Sequence, residues 1–264
     1  MSKRLCIALV LFFAIPVFVA AQQSDDMVVT VNGVSFKMIR VEGGAFTMGA
    51  TSEQASDAYD NEKPAHKVTL STYYIGETEV TQELWQAVMG SNPSYFNGSS
   101  RPVEKVGWND CQEFIRTLNQ LTGKNFRLPT EAEWEFAARG GIKSQNYKYS
   151  GSNDLNAVVW FSENAEVIGE NSPDYGTHVV KTKKPNELGI YDMSGNVCEW
   201  CSDRFGKYSS GAQTNPKGAS SKSARVVRGG SWNYSGWRCR SSCRFKFSPD
   251  ECRYNIGLRL VLIP

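Results

Sequence analysis

Apolar residues recur along the first half of the chain with two different periods, and the period changes where glycine, asparagine or threonine intervenes. Val29-Thr30-Val31 and Phe36-Lys37-Met38-Ile39 flank Asn32-Gly33, a pair that tolerates positive φ and so predicts a tight hairpin. Helical spacing follows. Thr81 can cap a helix that carries Leu84, Trp85 and Val88 on one face and stops at Gly90. Asn109 with Gln112 reads as a capping-box variant, opening a helix with Phe114, Ile115, Leu118 and Leu121 inward and Gly123 at its end. Thr130 with Glu133 gives the commoner box and starts a third helix through Trp134, Phe136 and Ala137 toward Gly140-Gly141.

Beyond Gly141 the helical period disappears. What remains is rich in Gly, Asn, Ser and aromatics, with short strand candidates at Val179-Val180, Ala224 to Val227 and Gly257 to Leu262. Helices early and irregular strands late predict an α+β domain, low in regular secondary structure, with long functional loops.

The extreme N-terminus follows neither period. Lys3 and Arg4 precede an apolar run from Leu5 to Val19, and small residues at Ala20 and Ala21 lead into a polar stretch. That order predicts a secretory signal cleaved after Ala21. The run is shorter than the roughly 20 residues a spanning helix needs, and Pro16 interrupts it, so no membrane span is expected after cleavage. The reading is therefore residues 1–21 as signal peptide, 22–35 as leader and first strand, and 36–264 as one domain. The product is exported, to a periplasm or the cell exterior.

Charge narrows the partners. The formal net charge is +2 with acids and bases interspersed, and the longest basic run is Lys181-Thr182-Lys183-Lys184, which argues against a nucleic-acid partner. His66 and His178 are the only histidines, too few for a His-rich metal site or a Ser-His-Asp triad. Six cysteines lie beyond the signal: Cys111, Cys198, Cys201, Cys239, Cys243 and Cys252. In an exported chain an even number suggests disulfides, and Cys243 with Cys252 would close a short loop around Ser248-Pro249-Asp250. A four-thiolate zinc site from Cys198, Cys201, Cys239 and Cys243 has tolerable spacing but suits a reducing compartment better.

Several segments carry a resemblance. They are Met38 to Gly49 (MIRVEGGAFTMG), Pro64 to Trp85 (PAHKVTLSTYYIGETEVTQELW), Pro102 to Trp108 (PVEKVGW), Phe126 to Gly141 (FRLPTEAEWEFAARGG), Asn186 to Trp200 (NELGIYDMSGNVCEW), Arg228 to Trp232 (RGGSW) and Gly257-Leu258-Arg259. In this order the chain resembles the formylglycine-generating enzymes, or sulfatase-modifying factors, over about residues 36 to 262. The resemblance implies a variant of the C-type lectin fold, often stabilised by calcium.

Active members of that family oxidise a substrate cysteine to formylglycine with molecular oxygen, using copper(I) held by two thiolates. The resemblance puts those ligands three and eight residues beyond the Ser of Gly-Gly-Ser, which here is Ser231. The third position is Tyr234 and the eighth is Cys239. A phenol is a hard donor with a pKa near 10 and does not replace a thiolate on copper(I). Cys198 also stands where the family has the first tryptophan of Trp-Glu-Trp. Copper is therefore not expected, unless Cys198 or Cys243 supplies the missing ligand. The resemblance also implies a Cys201–Cys239 disulfide, with Cys198 and Cys111 left over.

For calcium it implies side-chain oxygens at Asp192 and Glu199 with carbonyls at Gly195 and Val197, and a weaker site involving Asn164. Oxygen donors from one looping segment suit a hard cation. The plainer alternative has Asp192 capping a turn and Glu199 paired with an arginine. Finally, the resemblance places a groove along residues 232 to 254, in which Trp232, Asn233, Tyr234, Trp237, Arg240 and Phe245 are the candidate contacts. Such residues form adaptable recognition surfaces. The expected function is a noncatalytic binding or assembly module for a protein, peptide or glycan; the alternative is an active formylglycine-generating oxidase acting through Cys239 and Ser231.

Overall fold

A computed structural model describes residues 25–54 and 57–264; the expected signal peptide lies outside the described residues. The described residues are 21% helical and 24% strand. Strands β1 (Met27–Val31) and β2 (Val34–Val41) form the expected hairpin, pairing Val31 with Val34 across Asn32 and Gly33, both at positive φ. Pairing begins at Met27, two residues before the strand expected from Val29.

β3 (Gly44–Met48), β4 (His66–Leu70) and β5 (Tyr73–Gly76) follow. Helix α1 (Gln82–Met89) is capped as expected, with Thr81 Oγ1 accepting from the Leu84 amide and Gly90 closing it in the left-handed region. Helix α2 (Trp108–Thr122) starts earlier than expected: Gly107 is its N-cap and the Asp110 carboxylate accepts from the Gly107 amide at 2.8 Å. Asn109 instead reaches outward to Asp250. Cys111, Phe114, Ile115 and Leu118 form the buried face, whereas Leu121, past the end of the core, is exposed. After β6 (Phe126–Arg127), helix α3 (Glu131–Ala138) carries the full Thr130/Glu133 capping box, and every residue in it is buried.

The second half is held by short pieces: α4 (Leu155–Val158), β7 (Cys198–Arg204), β8 (Gln213–Thr214), β9 (Arg225–Arg228), β10 (Arg244–Phe247), β11 (Ile256–Gly257) and β12 (Val261–Leu262). Val179-Val180 is not a strand; Val179 is exposed in a turn closed by the Thr182 hydroxyl. Three sheets result, ordered β1-β2-β5-β12-β6, β10-β9-β7-β11 and β3-β4-β8. The segment expected as one strand from Gly257 to Leu262 joins two of them. Ile256-Gly257 runs parallel to β7, and Val261-Leu262 pairs with β5 and β6. Arg259 between them is fully buried and ties the sheets together.

One apolar core packs α1 and α2 beneath Trp200 and Leu258, and a second surrounds α3 with Val68, Tyr73 and Val226. Buried ion pairs cross them: Arg228 bridges Glu131 and Glu135, Arg244 clasps Glu131, and Arg240 clasps Glu62. Among the described residues no helix is long and apolar enough to cross a membrane.

Candidate functional site

β9 ends in Gly229-Gly230, both at positive φ, and the turn sends Ser231 and Trp232 into the interior. A side chain at Gly230 would come within 2.6 Å of Cys239 Sγ, so glycine is what lets that sulfur approach. The Ser231 amide faces Cys239, while the Ser231 hydroxyl and the Gly230 amide face Cys198. Cys243 is near enough to act on both. Burial first, then the neighbouring sulfurs, pushes the Cys239 thiol well above its ordinary range, and burial likewise pushes Cys243 up to about 12. Three buried, protonated thiols thus gather around one glycine-serine turn.

This arrangement corrects the expected disulfides. All six cysteines of the described residues are free. Cys198 and Cys201 are three apart on β7 and so face opposite sides of the strand; Cys201 packs into the α3 core, whereas Cys239 belongs to the cluster with Val158 and Phe161. Cys243 lies beside Cys198 and Cys239, and Cys252 is exposed next to Asp110, with Cys111 nearby.

Tyr234 sits beside this thiol group. Its ring packs edge-on against Phe245 at 5.1 Å with Arg238 over it at 5.2 Å. Burial, then Cys198, raises its phenol far above the usual value, while Asn255 hydrogen-bonds to it. Asn233 is held inward, accepting from the Ser231 hydroxyl and from Asn255 Nδ2, both at 2.8 Å. Trp237 is 40% exposed and rests on Tyr59. Arg240 is not at the surface: all its reach is spent on Glu62, Ser242, Gln54 and the carbonyls of Asp57 and Trp237. The geometry makes it a brace between the segment around Glu62 and the C-terminal segment.

Trp232 is the floor of an aromatic surface that the sequence did not disclose. Phe96 and Tyr175 pack edge-on to it, each at 5.1 Å, and Tyr254 lies 5.8 Å away. Tyr95 and Tyr254 form an exposed rim, 6.2 Å apart. Behind Phe96 lies Glu104, whose Oε1 accepts from the Phe96 amide while Oε2 is buried without a partner. Burial raises this carboxyl to about 7.

The segment 192–199 contributes a second, acidic centre. Asp192, at positive φ, accepts from the Lys181 amide, and burial raises it to about 6. Glu199 is doubly engaged by Arg259, with a closest approach of 2.7 Å, and also accepts from Trp134 Nε1. The arginine pairing weighed from the sequence is therefore real. Glu79 completes the group: it is buried, both carboxylate oxygens lack hydrogen-bond partners, and burial, then Asp192, pushes it well upward. Gly195 is bridged to Trp160, Val197 is buried, and Asn164 binds the backbone of Val159 and Phe161 on either side of Trp160. Among the described residues no three His, Cys, Asp or Glu side chains converge as a metal would require. Glu79, Asp192 and Glu199 are thus three buried carboxylates served by one guanidinium, which is already spent on Glu199.

A glycine-rich turn feeding a buried serine, small irregular sheets and a C-terminal segment laid over the core define a C-type-lectin-like domain of the sulfatase-modifying kind. The chain belongs to that family: residues 27–263 match the sulfatase-modifying factor enzyme 1-like domain. It is 38% identical over 270 residues to a protein named chaperone protein LppX from Paenibacillus barcinonensis, covering 86% of this chain and 90% of the relative. A formylglycine-generating enzyme from Streptomyces coelicolor is 28% identical over 281 residues, with 84% and 87% covered. Among solved structures, Treponema denticola variable protein 1 superposes with a TM-score of 0.81 at 35% identity, covering 91% of this chain and 99% of that one.

Proposed function

We propose that this chain is an exported, noncatalytic member of the family, acting outside the cytoplasm as a binding or assembly module for a protein, peptide or glycan through its C-terminal surface. The observation that carries the reading is Tyr234 at the position of a copper ligand, with its phenol and Cys239 both neighbouring Cys198. A phenol is a hard oxygen donor, so Tyr234 with Cys239 does not make the soft thiolate pair that copper(I) needs. Next to it lies the ring surface of Tyr95, Phe96, Tyr175, Trp232 and Tyr254, suited to recognition rather than to redox chemistry. Similarity to a protein named as a chaperone supports a partner-binding role.

Calcium belongs to the same proposal. Asp192, Glu199 and the carbonyls of Gly195 and Val197 would hold it, with Glu79, whose unpartnered oxygens a cation would satisfy. The ion would lock the 192–199 segment beneath Ser231.

One observation favours the alternative oxidase: Cys198 and Cys239 share the Gly230-Ser231 turn, so a copper pair could form from these two instead. An aerobic assay with a Cys-x-Pro-x-Arg peptide and copper(I) decides. The module reading expects no aldehyde, and aldehyde that disappears in Cys239→Ser would overturn it. A binding screen against sulfatases and glycans then identifies the partner.

A further inference from the structure

β10 is the outer strand of its sheet, paired with β9 on one side only. Asn61 Nδ2 donates to the Arg244 carbonyl, which marks that carbonyl as facing away from β9. By the two-residue period of a strand, the amide and carbonyl of Lys246 face the same way. Beside this open edge lies a cavity of about 670 Å³ lined by Tyr59, Phe205, Arg238, Phe245, Lys246 and Phe247. A second cavity of about 300 Å³ shares Phe205 and Lys246 with it and adds Lys207 and Lys222.

The charge of this face is one-sided. Lys207, Lys222, Arg238 and Lys246 border it, and among the described residues none of the four forms an ion pair with a carboxylate. Arg244 is spent on Glu131. The acid on the rim is Asp60, which pairs with Lys63.

We propose that this face receives an extended acidic polypeptide segment, which pairs as an added strand with β10 at Lys246. Its carboxylates meet Lys207, Lys222 and Lys246 on the face of β10 that carries Phe205, and its alternate apolar residues pack on the opposite face, against Phe245 and Phe247. The inference rests on the reading of the chain as a binding module and names the chemistry of one partner. Three features select this occupant. An open strand edge offers amide and carbonyl groups that another polypeptide can match and that a lipid headgroup or a sugar cannot match in register. A second copy of this chain would bring the same cations together at the seam, where like charges repel. A lysine on an edge strand also discourages unwanted pairing, but that role requires no aromatic cavity at its side.

The test uses the full mature chain and a fluorescein-labelled eight-residue peptide alternating valine and glutamate, followed by anisotropy. Binding is expected, weakened at least tenfold by Lys246→Glu, which sits on an exposed residue and should leave the melting temperature unchanged. The same peptide N-methylated at alternate amides should lose binding, a lysine-for-glutamate peptide should not bind, and the Lys246 amide should exchange at least tenfold more slowly in the complex. Equal affinity for the N-methylated peptide would overturn strand pairing. So would binding to phosphatidylglycerol vesicles but not to the peptide, or a dimer of the free protein that Lys246→Glu dissociates. A failed peptide arm with no aldehyde in the copper assay sinks this inference alone; aldehyde formation sinks the broader reading.

Discussion

Arg240→Met separates a brace from a ligand contact. The guanidinium is fully buried and its two amino groups meet the Glu62 carboxylate at 2.8 and 2.7 Å, while Ser242 donates to the same carboxylate. Methionine fills much of the volume but supplies no donor. Glu62 would be left charged and buried without its cation, and the carbonyls of Asp57 and Trp237 would lose their partner. Removing one member of a buried pair costs about 3–5 kcal/mol. For a domain of this size each kcal/mol lowers the melting temperature by about 2–4 °C, so the expected fall is roughly 6–20 °C. Glu62→Gln in the same chain should recover part of it, because the stranded charge is then gone.

The sign with pH follows from the carboxylate. Burial raises the Glu62 pKa, yet hydrogen bonds from Arg240, Ser242 and the Tyr59 backbone outweigh that and hold it below the usual value. The pair's stability is thus present above the ordinary glutamate pKa and is lost as pH falls through the depressed one. Thermal unfolding at pH 7 and pH 3 measures both. A variant that melts within about 2 °C of the parent at pH 7 would refute the brace, since the cost of a stranded buried charge would be missing.

Asp203 should titrate in the opposite sense. Burial first, then Glu131, raises its carboxyl from 3.8 to about 7, so it stabilises the fold below its unfolded pKa and that contribution is lost as pH rises to 7. The shift corresponds to roughly 4 kcal/mol; Asp203→Asn should flatten denaturant-derived stability between pH 4 and pH 7.5 by a comparable amount, and an unchanged slope would count against it. For calcium, a chelator should lower the melting temperature by roughly 5–10 °C if the ion is present near a hundred times its dissociation constant. Glu79→Gln should abolish that chelator effect, and a parent protein indifferent to chelator would end the calcium proposal. Thiol titration of the folded protein should find one accessible cysteine, lost in Cys252→Ser, since the other five are buried. Full denaturation of the chain from residue 22 onward without reductant should release all six of its thiols, and fewer would mean disulfides.

What the sequence disclosed was local. Thr81, Thr130 and Gly90 announced their helix ends because caps are satisfied within a few residues. Asn32-Gly33 announced its hairpin for the same reason. The start of α2 was misplaced by two residues because Asp110 reaches back to Gly107, a glycine with no side chain to signal a cap. Strands such as β11 and β12 are two residues long, and their boundary is set by β7 on one side and β5 and β6 on the other, far away in sequence.

The site divides along the same line. Asp192 and Glu199 could be read together because one looping segment carries both, but Glu79 could not, since only the fold brings its carboxylate beside theirs. Likewise Trp232 was legible within its motif, whereas Phe96 and Tyr175 meet it from distant loops. The cysteines are the instructive case. Their even number and the family resemblance suggested pairings, yet strand parity alone separates Cys198 from Cys201, and would have done so had the segment after Val197 been read as a strand. Once Cys198 turns toward Ser231, its neighbours are Cys239, Cys243 and Tyr234 rather than a partner across the sheet. The question posed by Tyr234 then becomes narrower: the chain keeps Cys198 and Cys239 buried at one turn, and copper binding there would have to release a proton from each thiol.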